Sequence, residues 1–408
     1  MNTATITDAR QVRGLALAKG KAKKIKPVAG STWLVPSASG GGGGYVVDVD
    51  KGTCSCPDAE ERGVRCKHQF AVAYVRAEIA MPDGAVLVAE TRVTYAQPCW
   101  SAYHKAQVME KDTVELLLRG LCDGIVEPQA KKTGRPPMPL AALVFAATLK
   151  VFSTMSGRRA SSDIRAAKER GRLGTVAHYN TISEHLARPD LAPLLKVLVT
   201  ESALPLKAIE SQFAVDATGF ATNTYARWYD EKYGEEKRAA RWIKAHAMVG
   251  TKTHVITAVE VTESNVHDSP MLAPVLATTA ANFNMREVSA DKAYLANDNL
   301  TAIEAVGAVP YIPFKINSQG NGSEAWRRLW HLYSLNREDF LGHYHRRSNV
   351  ESVFSSVKRK FGAAVRAKLP TAQVNEVLLK CIAHNLSMLV HSIHELGVDP
   401  KFWRGGGQ

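Results

Sequence analysis

No stretch of the 408 residues stays apolar for the roughly 18–20 positions that a bilayer span needs, and the N-terminus lacks a signal-peptide core. Membrane spans and secreted disulfide scaffolds are therefore set aside. The expectation is a cytoplasmic, nucleoid-associated bacterial protein without a membrane partner. Acidic residues are also in deficit, with 39 Asp and Glu against 52 Lys and Arg, for a formal charge of +13. That excess favours an acidic polymer as partner, nucleic acid before a membrane surface. Cysteine is scarce, six residues in all. Cys99, Cys122 and Cys381 are scattered, while Cys54, Cys56 and Cys66 crowd one short window, which suits a local metal site better than a disulfide framework.

The crowded window reads "TCSCPDAEERGVRCKH", residues 53–68. Cys54-x-Cys56, nine intervening residues and Cys66-x-His68 supply three thiolates and one imidazole. That is a full tetrahedral set for structural zinc with no position left open. The stretch between the pairs is too polar for an ordinary core. The spacing resembles the SWIM-type zinc finger, with a strand before it and a helix after it.

Composition then divides the chain. Residues 1–42 read as a basic flexible segment, 43–80 as the zinc finger and 81–110 as a connector carrying Tyr95, Trp100 and Tyr103. Residues 111–205 read as a helical domain, 206–395 as strands followed by strand–helix alternation, and 396–408 as a tail. Ten Lys or Arg face two acids between residues 131 and 172. The basic turn at Arg158 and Arg159 followed by "TVAHYNTISEHL" resembles a helix-turn-helix that would bind DNA, a plain helical spacer being the other reading. "KKTGRPP" reads as a minor-groove hook or a Pro-rich linker.

The run "HYHRRSNVESVFSSVKRKFG", residues 343–362, reads as one amphipathic helix. At about 100° per residue Tyr344, Arg347, Glu351 and Lys358 share one stripe. Upstream, Asp216 in "QFAVDATG" and Asp291 in "EVSADKAY" each follow an apolar strand-like run and are expected where a strand stops. Three carboxylates make a hard oxygen donor set suited to Mg2+ or Mn2+.

These residues resemble the DDE triad of insertion-sequence transposases with an RNase H-like core, and Tyr344, Arg347, Glu351 and Lys358 match that group's Y-x2-R-x3-E-x6-K signature. The likeness spans about residues 110–395. It implies a multidomain α+β chain: a small zinc-bound ββα-like domain, a helical DNA-binding domain and a mixed-sheet α/β catalytic core. It further implies that Asp216, Asp291 and Glu351 hold two divalent ions, and that Tyr344, Arg347 and Lys358 grip DNA phosphates. Transposon inverted-repeat ends and target DNA would be the partners, with a homodimer or larger synaptic complex. A transposase-derived DNA-binding regulator and an RNase H-like nuclease are the alternatives. Trp326 and Trp330 stack on a flipped base or pack in the core, and His343 and His345 are candidate DNA contacts. His254, His267 and Asp268 are either supporting residues of the site or structural.

Overall fold

The computed structural model describes residues 8–21, 24–37, 44–75, 99–127, 137–222, 242–315 and 318–403. "KKTGRPP" up to its last residue, the glycine run before Gly44 and Tyr95 lie outside them. The chain forms two compact units, Met1–Gln97 and Pro98–Gln408.

In the first unit, α1 (Ala9–Lys21) precedes an antiparallel sheet with strands in chain order, β1 (Lys26–Ala29), β2 (Thr32–Pro36), β3 (Gly44–Asp48) and β4 (Thr53–Cys54). Helices α2 (Pro57–Arg62) and α3 (Lys67–Val75) follow. Residues 9–21 and 26–36 are therefore a helix and a hairpin rather than the flexible segment expected over 1–42. The apolar signal in α1 is thin, yet Leu15, Leu17 and Ala18 are buried by packing on α3. Gly14 permits that approach, since a Cβ there would fall 2.5 Å from Phe70 Cβ and 2.8 Å from the Lys67 carbonyl oxygen. Val35, Val47, Ala71 and Val72, together with the three cysteines, close a small core.

The second unit opens with α4 (Trp100–Val108), α5 (Glu110–Asp123), α6 (Leu140–Phe152), α7 (Gly157–Glu169), α8 (Tyr179–Leu186) and α9 (Leu191–Ala203). Strands β5 (Gln212–Ala221), β6 (Trp242–Gly250), β7 (Ile256–Glu263), β8 (Glu287–Ala290) and β9 (Val309–Tyr311) form one sheet in the order β7-β6-β5-β8-β9. The first three pair antiparallel, and β8 and β9 run parallel to β5. Parallel strands need crossovers, and α10 (Leu272–Ala280) and α11 (Asn297–Ala305) lie in the connections into β8 and β9. Helices α12 (Glu324–Leu335), α13 (Arg337–Tyr344), α14 (Ser348–Phe361) and α15 (Pro370–Leu396) complete the unit. This mixed sheet flanked by helices is the RNase H-like core read from the sequence.

One apolar core runs from the helices of residues 100–203 into the sheet. The buried helix α15 packs on α4, α5, α6, α9 and β7. Asn385 fixes that junction: its Oδ1 accepts from Ile256 N at 2.8 Å, and its Nδ2 donates to Val199 O, Ser202 Oγ and Ile256 O. A buried amide satisfied on both ends specifies register. Among the described residues, no single helix is long and apolar enough to cross a membrane.

Candidate functional site

Cys54 closes β4, Cys56 precedes α2, and Cys66 and His68 flank the start of α3. Gly52 and Gly63, both at positive φ, turn the chain between these elements. All four ligand groups are buried with their ligand atoms within 4.8 Å of one another, and His68 Nδ1 lies 3.9 Å from Cys54 Sγ and 3.8 Å from Cys66 Sγ. Gln69, which the sequence reading passed over, ties the two turns together. Its side-chain oxygen accepts from Cys66 N at 2.7 Å and its Nε2 donates to Gly52 O at 2.5 Å.

The Cys66 thiol is pushed down to about 3, chiefly by hydrogen bonding from Cys54, and the same contact pushes Cys54 up. Burial raises Cys56. In this buried cluster Cys66 is held as the thiolate while Cys54 and Cys56 keep protons that a dication would displace, and the donor set fits zinc through Nδ1. His68 Nε2 is buried without a partner among the described residues.

The second site lies on the sheet. Asp216 is the fifth residue of β5, which continues to Ala221; the strand does not stop there as expected. The break is in the neighbour: β8 ends at Ala290, paired with Val215, and from Asp216 to Phe220 the strand paired with β5 among the described residues is β6. Asp291 follows directly, level with Asp216 one step beyond the Val215–Ala290 pair, and caps the turn at Lys292–Tyr294, with Oδ1 accepting from Lys292 N at 2.6 Å.

Glu351 stands exposed in the first turn of α14. The signature run is not one continuous α-helix: a 3-10 turn at His345–Arg347 separates α13, which ends at Tyr344, from α14. That turn brings Arg347 inward. Its Nη2 donates to Asp216 Oδ2 at 2.7 Å and its Nη1 to Glu351 Oε1 at 3.1 Å, while Nε is buried without a partner among the described residues.

Burial raises the Asp216 carboxyl and Asp291 adds to the rise, against the Ala217 amide and Arg347, which lower it. The oxygens of these two neighbouring carboxylates are the kind of donor that fits a hard divalent cation, and Arg347 supplies an opposite charge beside them rather than a ligand. The three acids are not, however, among the His, Cys, Asp and Glu groups whose ligand atoms converge within 4.8 Å; the cysteine cluster alone does so among the described residues.

Tyr344 is half-buried and adjoins Arg347; burial raises its phenol and the guanidinium lowers it. Lys358 lies two turns beyond Glu351 with its Nζ 5.6 Å from the Phe220 ring centroid, and burial lowers its pKa. Arg158 and Arg159 are exposed in the first turn of α7, the guanidinium of Arg158 lying 5.5 Å from the Tyr179 ring of α8. Arg170, counted in the basic stretch, instead forks onto the fully buried Glu115 at 2.6–3.0 Å.

The two tryptophans pack on Phe314 at centroid distances of 5.0 and 4.9 Å, and Trp326 Nε1 donates to Gln319 O. Gly320 and Gly322 lie directly on the indoles, so chain rather than a base covers those faces. His343 is stacked on Tyr311 and lies 2.8 Å from Glu287, in a structural role. Asp268 accepts from Lys244 at 2.9 Å beside the fully buried His246, and Tyr294 is buried against the acids with burial raising its phenol. His246 and Tyr294 carried no motif signal because their neighbours come from other elements.

Residues 207–386 match the family model of the transposase DDE domain, and residues 45–77 match that of the SWIM zinc finger.

Proposed function

Because the chain joins a transposase DDE domain to a SWIM zinc finger, we propose that it cuts DNA at transposon ends and joins the freed 3′-hydroxyl to target DNA. The observation carrying this reading is the juxtaposition of Asp216 on β5 and Asp291 at the end of the adjacent strand β8, with Glu351 tied to Asp216 through Arg347. Asp216, Asp291 and Glu351 would hold Mg2+ or Mn2+, which when bound supplies Lewis-acid activation of water or hydroxyl and stabilises charge on the phosphoryl oxygens.

The chain's own residues position the substrate. Arg347 offsets the mutual repulsion of the acids. Lys358, with no carboxylate partner among the described residues, offers its ammonium to a DNA phosphate, and Tyr344 flanks the same stripe. Arg158 and Arg159 on the outer turn of α7 contact DNA away from the reacting phosphate. The cysteine cluster, four ligands with none open, would hold zinc as a folding element. A homodimer or larger assembly would bring two ends together.

The decisive experiment incubates the purified chain with linear DNA carrying the flanking inverted repeats and Mg2+ or Mn2+. Cleavage at the repeat boundary with strand transfer supports the proposal. Binding without cutting favours the regulator, and cutting without end preference favours a nuclease.

A further inference from the structure

After α14 the chain turns at Gly362 and runs beside the far end of β5: Ala221 N donates to Ala363 O at 3.2 Å and Val365 N to Ala221 O at 2.9 Å. Two buried residues of α15 hold this turn. Lys380 Nζ donates to the carbonyls of Gly362 and Ala364, both at 2.7 Å, and Glu376 accepts from Arg366 N and Ala367 N at 2.9–3.0 Å. The turn is thereby a fixed platform for the side chains of Arg366 and Lys368.

Next to it is a cavity of about 310 Å3 lined by Lys150 of α6, Ser183 of α8, Arg366 and Lys368, with no acidic residue in its wall. Lys150 is half-buried, and burial together with Arg366 lowers its pKa against the pull of Glu376. Glu376 is already committed to the backbone of the turn. None of the three cations has an ion-pair partner among the described residues. Like charges at the wall of one cavity, Lys150 half-buried and Arg366 and Lys368 at its exposed rim, repel one another, and an anion offsets that cost.

We infer that Lys150, Arg366 and Lys368 form a phosphate-binding site for the backbone of duplex DNA, separate from the acids on the sheet. Five residue steps of extended strand, about 17 Å, separate Asp216 from Ala221, beside which this turn runs. The inference rests on the DNA-acting reading given above.

The test uses the full chain with and without saturating inverted-repeat duplex at low salt, reading acylation of individual lysines by mass spectrometry. Bound duplex should cut acylation of Lys150 and Lys368 several-fold. Lys150→Gln and Arg366→Gln should each reduce the slope of log affinity against log salt by about 0.9, with Lys150→Arg retaining it. Arg366 is exposed, so its variant leaves the core untouched. Unchanged acylation in the bound state, or unchanged slopes, would overturn the site. A chain that is protected but does not cut overturns only the proposed chemistry; one that cuts with Lys150 unprotected overturns only this site; one that binds no duplex overturns both.

Discussion

Four ligand groups of the cysteine cluster lie within 4.8 Å of one another on residues 54–68, whereas the three acids come from positions 216, 291 and 351 and are bridged in part by an arginine. The first site is closed by local turns, and its ligands are buried. The second is assembled by sheet register and a helix, and Glu351 is still 61% exposed. A site that folds its domain must converge before anything else binds, while a site that handles a polymer must stay open to it.

Zinc removal should give the largest difference between the two. Stripping zinc with a selective chelator, or replacing Cys66 or His68 by Ala, should unfold residues 44–75, because structural zinc contributes on the order of 10 kcal/mol to such domains. Zinc stoichiometry and limited proteolysis measure it: one zinc per chain should fall to none, with cleavage appearing within the first unit and the second unit intact. Loss of protection in both units would mean that the sites are not independent.

Next come the acids. Asp216→Asn, Asp291→Asn and Glu351→Gln should each lower end cleavage by about two to three orders of magnitude, the scale seen when one group stabilising the transition state is removed. Binding to the repeats should persist. Substantial cutting by any one variant, followed by gel analysis of labelled ends, would take that residue out of the site.

The smallest effects belong to the signature cations. Lys358→Ala should weaken binding to all sequences alike and flatten the salt dependence by about 0.9 in log–log slope, one phosphate contact. Arg347→Ala should do the same and also release Asp216 and Glu351 from their shared partner, so its cleavage should fall further than its binding. Equal losses in the two measurements would reduce Arg347 to a phosphate contact.

Much of this was legible in the residues. Cys54, Cys56, Cys66 and His68 announce themselves because ligand spacing in a tight turn is a property of the chain alone. The strands of the second unit were readable from their apolar runs, as were the helices of 111–205 from their periodicity. What failed was what depends on neighbours. Residues 9–21 looked unstructured because α1 carries a thin apolar stripe, and its helix is held by α3 rather than by propensity. Asp216 looked like a strand end because the apolar run stops there, yet pairing with β6 carries the strand on to Ala221.

The sequence by itself picked out the four zinc-type ligands of the first unit, a matter of residue type and short spacing, and pointed to three candidate acids for the second. Only the tertiary structure decided that Arg347 turns inward onto Asp216 and Glu351, that the tryptophans are covered by chain, and that Lys150 meets Arg366 and Lys368 from more than two hundred positions away. The physical reason is the same in each case. A side chain's charge and shape are fixed by its residue, but its partner is chosen by sheet register and helix packing, which bring distant segments to one place.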